Sequence, residues 1–144
     1  MVHLLDVNVL IALAWPNHVH HAPAHTSFAA NAAEGWATCP LTQCGFVRVS
    51  ANRTVIAAAV PIQDAVDVLR QMVSDPRRVF WADDVAFTDG QYVAHRAIQG
   101  HRQVTDAYLV GLSRRHGGAL ATLDAALVAS LPADARRAVA VIPA

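Results

Sequence analysis

Two largely apolar runs of this chain each lead into an aspartate, and this pattern limits the folds available to it. Residues 2–5 precede Asp6, and residues 119–123 precede Asp124. Apolar runs without strict alternation predict strands that are buried on both faces, as in parallel sheets covered by helices. If the two strands are parallel neighbours, both carboxylates lie at the carboxyl edge of the sheet, where α/β folds place their active sites.

Strands and helices are predicted to alternate along the chain. The first strand runs directly into a helix within residues 2–13, and the other predicted strands cover residues 36–39, 79–82, 120–123 and 139–142. Helical spacing and Gly or Pro boundaries predict helices over residues 18–33, 41–50, 61–73, 89–98, 104–115 and 125–131. This order predicts one three-layer α/β/α domain over residues 1–144, with a central, mostly parallel sheet.

The composition narrows the class of protein. Hydrophobic residues make up 54% of the chain and charged residues 15%, which is enough apolar material to cover both faces of a sheet. No uninterrupted apolar run of about 20 residues and no leader pattern is visible, so we expect a cytoplasmic protein without a membrane segment. A net charge of zero argues against coating nucleic acid by charge alone. The two cysteines, Cys39 and Cys44, are predicted to be packing residues.

Three aspartates form the candidate catalytic site. Asp6 and Asp124 follow predicted strands, and Asp106 lies in the first turn of a predicted helix, whose positive end favours an ionised carboxylate. Three anions in one cleft repel each other unless a cation neutralises them. Mg²⁺ binds carboxylates together with waters and phosphate oxygens, and it activates water for phosphodiester hydrolysis. We therefore predict that these aspartates bind Mg²⁺, with Mn²⁺ as a possible substitute.

Short polar residues flank the three aspartates. Asn8, Thr105 and Thr122 could orient the carboxylates by hydrogen bonds. Asn8 and Thr105 could instead be helix caps, or serve both roles. Asp83 and Asp84 also follow a predicted strand and form a rival site, although helix capping is the commoner use of such residues.

Four motifs, in this order along the chain, carry a family resemblance. They are Leu-Leu-Asp-Val-Asn-Val-Leu-Ile-Ala-Leu from residue 4, Cys-Pro-Leu-Thr-Gln-Cys-Gly-Phe-Val-Arg-Val from residue 39, Val-Thr-Asp-Ala-Tyr-Leu from residue 104, and Ala-Thr-Leu-Asp from residue 121. This combination resembles PIN-domain ribonucleases and, among them, the VapC toxins of bacterial toxin–antitoxin pairs.

The resemblance implies a Mg²⁺- or Mn²⁺-dependent endoribonuclease that is usually dimeric and is held inactive by a VapB antitoxin. By analogy its substrate is a structured cellular RNA such as tRNA or rRNA. The family's acidic positions map onto Asp6, Asp106 and Asp124, and a fourth acidic position maps onto Gln43, an uncharged amide. This departure keeps an alternative open, a catalytically weak PIN-like module that binds RNA or an antitoxin without cleaving.

Basic and histidine residues add two further predictions. Arg48 and Arg102 are predicted to contact RNA phosphates. His18, His21 and His25 have the spacing of one helical face, which suits zinc, although a polar helix start is the simpler interpretation and the one we favour.

Overall fold

Five strands form one parallel sheet in the computed structural model, which describes residues 1–144. The strands are β1 (His3–Leu5), β2 (Trp36–Thr38), β3 (Arg78–Phe80), β4 (Ala119–Thr122) and β5 (Val139–Val141). Their spatial order is β3-β2-β1-β4-β5, and all four neighbouring pairs are parallel. The predicted parallel sheet is confirmed, with the first strand of the chain at its centre.

Seven α-helices connect and cover the strands. They are α1 (Val7–Ala14), α2 (His21–Asn31), α3 (Pro40–Ser50), α4 (Ile62–Val73), α5 (Val104–Arg115), α6 (Ala126–Ala129) and α7 (Ala133–Arg136). Short 3-10 helices lie at Ala32–Glu34, His95–Ala97 and His101–Gln103. None of the helices combines the length and the apolar character needed to cross a lipid bilayer.

The sheet separates two hydrophobic cores, because alternate residues of a strand point to opposite faces. Leu4 of β1 packs with Leu109 of α5 on one face, in a core that also includes residues of α6 and α7. Leu5 packs with Leu10 of α1 and Phe46 of α3 on the other face. Helices therefore cover both faces, and the three-layer α/β/α prediction is confirmed.

Helices α1 and α3 approach each other closely at Gly45. A Cβ atom added to Gly45 would lie 2.5 Å from Cγ2 of Val7, the first residue of α1. Only glycine leaves room for this contact, which holds the start of α3 beside the residues that follow β1.

The predicted helix over residues 89–98 is wrong. The Asp89 side chain accepts the backbone N–H of Gln91 at 3.0 Å, and the Asp89 carbonyl accepts the N–H of Val93 at 2.9 Å, which closes a single turn. Because Val93 is the only buried residue of the segment, no apolar stripe exists to hold a longer helix against the sheet. A 3-10 helix follows instead.

Two smaller predictions also need correction. The last predicted helix, residues 125–131, is shorter than expected, and α7 follows it after Pro132, which is the N-cap residue of α7. Cys39 is buried as predicted, but Cys44 is exposed on α3 and is not a packing residue.

Candidate active site

The carboxyl ends of β1 and β4 meet at one edge of the sheet. The two strands pair in parallel with Leu5 opposite Ala121, and the backbone N–H of Asp6 donates to the Ala121 carbonyl at 3.0 Å. Asp6 directly follows β1, and Asp124 lies two residues beyond β4. The predicted adjacency of the two strands is confirmed, and it places both aspartates at the same edge.

Asp6 is a buried carboxylate with both oxygens engaged. It is the N-cap residue of α1, and its Oδ1 accepts the backbone N–H of Val7 at 2.7 Å. Its Oδ2 accepts the Thr122 hydroxyl at 2.8 Å. Burial raises the pKa of Asp6, the two hydrogen bonds lower it in part, and the Asp124 carboxylate raises it further.

The Thr122 hydroxyl connects the parts of this site. While it donates to Asp6, it accepts the backbone N–H of Asp124 at 3.1 Å and the Asn8 amide at 3.5 Å. The Asn8 carbonyl oxygen in turn accepts the backbone N–H of Leu123 at 3.4 Å. Asn8 is therefore not the helix cap, since Asp6 has that position, and its side chain reaches across to the end of β4.

Asp106 lies in the first turn of α5 and is half-buried. Burial, followed by repulsion from Asp6 and from Asp124, raises the pKa of the Asp106 carboxyl to about 6. These effects outweigh the expected stabilisation of its ionised form by the helix end. The three aspartates are thus brought close enough to affect one another's ionisation.

The three carboxylates suit a hard divalent cation, although they are not yet gathered around one point. No three His, Cys, Asp or Glu side chains in the chain lie close enough to hold one ion together. Like charges keep apart when no cation lies between them, and Mg²⁺ commonly takes only one or two carboxylates directly, with waters as its other ligands. The oxygen ligands and their mutual repulsion therefore fit such an ion.

Known proteins resemble this chain over most of its length. Ribonuclease VapC39 of Mycobacterium tuberculosis is 47% identical over 133 residues, which are 92% of this chain and 96% of that protein. Ribonuclease VapC38 of the same organism is 52% identical over 122 residues, covering 85% and 84% of the two chains. Ribonuclease VapC29 is 46% identical over 127 residues, covering 88% and 89%. The chain belongs to the VapC family of PIN-domain ribonucleases. A scan against protein-family models finds no match.

Gln43 occupies the fourth acidic position that the VapC resemblance implies. It lies in the first turn of α3, half-buried, and its Nε2 donates to Oγ1 of Thr38 at 3.1 Å. The only glutamate of the chain, Glu34, is exposed and pairs with the N-terminal amine at 2.8 Å, so it does not supply the missing charge here. This VapC site therefore holds three carboxylates and one neutral amide.

Thr38 is a site residue that the sequence analysis missed. It is fully buried at the end of β2 and orients the Gln43 amide. The signal was present, because Thr38 ends β2 as Thr122 ends β4, with a hydroxyl at the carboxyl end of a buried strand.

Thr105 does not cap α5. The N-cap position belongs to Gln103, and Thr105 lies exposed within the first turn, where its side chain makes no hydrogen bond. Its neighbour Asp106 is consequently oriented by the helix backbone and not by Thr105.

The two arginines proposed for RNA lie on exposed surfaces. Arg102 belongs to the 3-10 helix one turn before Asp106, and Arg48 lies on α3 one turn after Gln43, beside an open groove. Neither arginine makes an ion pair with a carboxylate.

The rival aspartates lie apart from the three site carboxylates. Asp83 and Asp84 are exposed and follow β3, the outer strand of the sheet. No helix starts after them, so the capping interpretation is wrong, and Asp84 instead pairs with Nε2 of His116 at 3.1 Å. The carboxylates that raise the pKa of Asp106 are Asp6 and Asp124.

The histidines follow the end of α1 and enter α2. A ring nitrogen of His21 bonds the Ala12 carbonyl at 2.7 Å, and one of His25 bonds the Leu13 carbonyl at 3.2 Å, so both satisfy the last turn of α1. His18 accepts the backbone N–H of His20. These contacts support the helix-start interpretation over a zinc site.

Proposed function

We propose that this protein is a toxin-type endoribonuclease that uses Mg²⁺ or Mn²⁺ to hydrolyse phosphodiester bonds in structured cellular RNA such as tRNA or rRNA. The observation that carries the proposal is the convergence of Asp6, Asp106 and Asp124 at one sheet edge, where they raise one another's affinity for protons. Membership of the VapC family supports the same reaction.

The chain's own residues would hold the cation and the RNA as follows. Asp6 is fixed by Val7 and Thr122, so its carboxylate needs no reorganisation when a ligand arrives. Asp106 releases its proton as the pH rises through about 6 and adds a second negative charge. When bound, a divalent cation neutralises the scissile phosphate and lowers the pKa of a water. The water is then a nucleophile near neutral pH.

Arginines on the rim would contact the RNA backbone. Arg102 precedes Asp106 by one turn, and Arg48 lies on the helix that carries Gln43. A guanidinium binds phosphate with two parallel hydrogen bonds. Alanine at either position should weaken RNA binding and flatten its salt dependence.

The proposed partners follow from the family. We expect a VapB-type antitoxin to neutralise the protein and the protein itself to form a homodimer. Co-expression with its cognate antitoxin, followed by size-exclusion chromatography with light scattering, measures both properties.

One observation favours a second candidate function, an RNA- or antitoxin-binding module with weak catalysis. The Gln43 amide leaves the site one negative charge short and is held in place by Thr38. A site with less negative charge retains cations less strongly.

A cleavage experiment separates the two functions. Total RNA is incubated with wild-type protein or with Asp6→Asn, in Mg²⁺ or in chelator, and new RNA ends are mapped by sequencing. The nuclease proposal predicts specific new ends that vanish with chelator and with Asp6→Asn, while the control Asp64→Asn, on the exposed side of α4, cleaves normally. RNA binding without any Mg²⁺-dependent ends would favour the module.

A further inference from the structure

One stretch of the chain contains no acidic residue although the whole chain has a net charge of zero. Between Asp89 and Asp106, residues 90–105 include two arginines and two histidines, namely His95, Arg96, His101 and Arg102. The positive charge of the molecule is therefore concentrated just before the helix that carries Asp106.

The structure leaves these basic side chains without acidic partners. His95 and Arg96 lie in one 3-10 helix, and His101 and Arg102 lie in the next, which leads directly into α5. Arg96, His101 and Arg102 are exposed. All ion pairs of the protein lie elsewhere. A surface of unneutralised cations is suited to bind an anion.

A large open cavity lies beside the first of these 3-10 helices. Its volume is about 820 Å³, and its lining includes His95, Arg96, Arg114 and a single acid, Asp134. Asp134 is already paired with Arg114 at 3.3 Å, and Arg114 also donates to the Tyr92 carbonyl at 2.9 Å. Arg96 is therefore the lining arginine that remains available for a ligand.

The cavity lies at a definite distance from the acidic site. Arg114 follows Asp106 by eight residues on α5, which corresponds to about 12 Å along the helix axis. A stacked nucleic-acid strand advances about 3.4 Å per nucleotide. A strand that runs along α5 from the acidic site would thus reach the cavity after about three or four nucleotides.

We propose that residues 95–102 form a cationic track that binds RNA phosphates to one side of the cut site, with Arg96 holding a phosphate about three or four nucleotides away. The inference rests on the proposed nuclease function and adds where the substrate lies on the protein. Phosphate contacts of this kind fix the position of the strand and do not select its sequence.

Binding of oligouridylates of two lengths tests the track. Fluorescein-labelled oligomers of three and ten uridines are titrated with Asp6→Asn protein in chelator at several salt concentrations, and anisotropy is recorded. Arg96→Ala should weaken the ten-mer about fivefold at 0.1 M salt and reduce the salt slope by about 0.7, the value for one phosphate contact on a single strand. The three-mer should be unaffected. Arg102→Ala should weaken both oligomers.

Two further variants exclude trivial causes. Arg53→Ala removes an equal charge from an exposed arginine outside the track and should bind both oligomers like the parent protein. Arg96→Lys keeps the charge and should retain most of the ten-mer affinity, whereas a loss equal to that of Arg96→Ala would show that phosphate charge is not what Arg96 contacts.

Three results would overturn the inference. If Arg96→Ala binds the ten-mer with unchanged affinity and slope while Arg102→Ala weakens it, the track is wrong and the proposed function stands. If Arg96→Ala instead loses affinity for a polyglutamate peptide, the surface docks an acidic protein segment. If the Asp6→Asn protein binds neither oligomer, the track and the nuclease proposal fail together.

Discussion

At the residue scale, the Thr122 hydroxyl is where the elements of the site connect. It donates to Asp6 and accepts from the backbone of Asp124 and from Asn8, so a single oxygen couples the ends of β1 and β4. Asp6 is buried, and a buried carboxylate that loses a hydrogen bond is costly. The orientation of Asp6 therefore depends on this hydroxyl.

Replacing Thr122 by valine removes the hydroxyl and keeps the shape. We expect Thr122→Val to lose about 1–3 kcal/mol of stability, because Asp6 and the Asp124 N–H lose their partner. Mn²⁺ affinity should fall about 10- to 100-fold, as for other groups that orient metal ligands. Thermal melts and calorimetric Mn²⁺ titrations measure the two effects. Thr122→Ser keeps the hydroxyl and should retain the Mn²⁺ affinity; a serine variant as weak as valine would contradict the role given to this oxygen.

Asp106 makes stability depend on pH in the cation-free protein. Because its pKa is raised to about 6 in the folded state, folding takes up a proton, and its contribution to stability falls as the pH rises from about 4 to about 6. Asp106→Asn cannot ionise and should raise stability at pH 7 by roughly 1 kcal/mol, after allowance for solvent screening of a half-buried group. In chelator the melting temperature should rise by about 3 °C at pH 7.

The same variant supplies its own control at acidic pH. Near pH 4 the wild-type carboxyl is largely protonated in the folded state, so the two proteins should melt at nearly the same temperature. An equal shift at both pH values would show that the change comes from packing and not from charge.

At the element scale, most of the architecture follows from local sequence signals. Apolar runs identified all five strands, and Gly and Pro boundaries placed the long helices to within a few residues. The failure over residues 89–98 has a local cause, since the Asp89 side chain competes for a backbone N–H that a helix would use. The close contact between α1 and α3 could not be predicted, because it depends on how two helices pack after they form.

That contact makes Gly45 sensitive to substitution. An alanine Cβ would overlap Val7, whose branched side chain is stiff in a helix, and we expect Gly45→Ala to lose about 1–3 kcal/mol through overpacking. This loss exceeds the gain of about 1 kcal/mol that alanine has over glycine in a helix only if the contact is rigid. Thermal melts should therefore show a lower melting temperature. Gly100→Ala, whose Cβ would meet nothing within 4 Å, is the matched control and should melt like the wild type; a more stable Gly45→Ala protein would contradict the contact.

At the scale of the whole molecule, the strand order brings distant residues together. Asp6 and Asp124 come from opposite ends of the chain, and the order β3-β2-β1-β4-β5 makes their strands neighbours. Strand ends alone could not separate this pair from Asp83 and Asp84, which also follow a strand at the same edge. The family resemblance chose between them, and the sheet order supplies the physical reason, because β3 is the outer strand.

Gln43 could be located from the sequence, whereas its contact could not. The motif placed it after β2, but the hydrogen bond to Thr38 depends on how α3 leaves the sheet. The same limit applies to Arg96, whose cavity is formed by residues of α5 and of the segment after α6.

Equilibrium Mn²⁺ binding to single Asp→Asn variants tests the three-carboxylate site most directly. Calorimetry is performed on wild-type protein, on Asp6→Asn, Asp106→Asn and Asp124→Asn, and on Asp83→Asn as a matched loss of one strand-end carboxylate. We expect each of the three site variants to bind Mn²⁺ at least about tenfold more weakly and Asp83→Asn to bind like the wild type. Unchanged binding by the three site variants, or a loss on Asp83→Asn instead, would contradict the account.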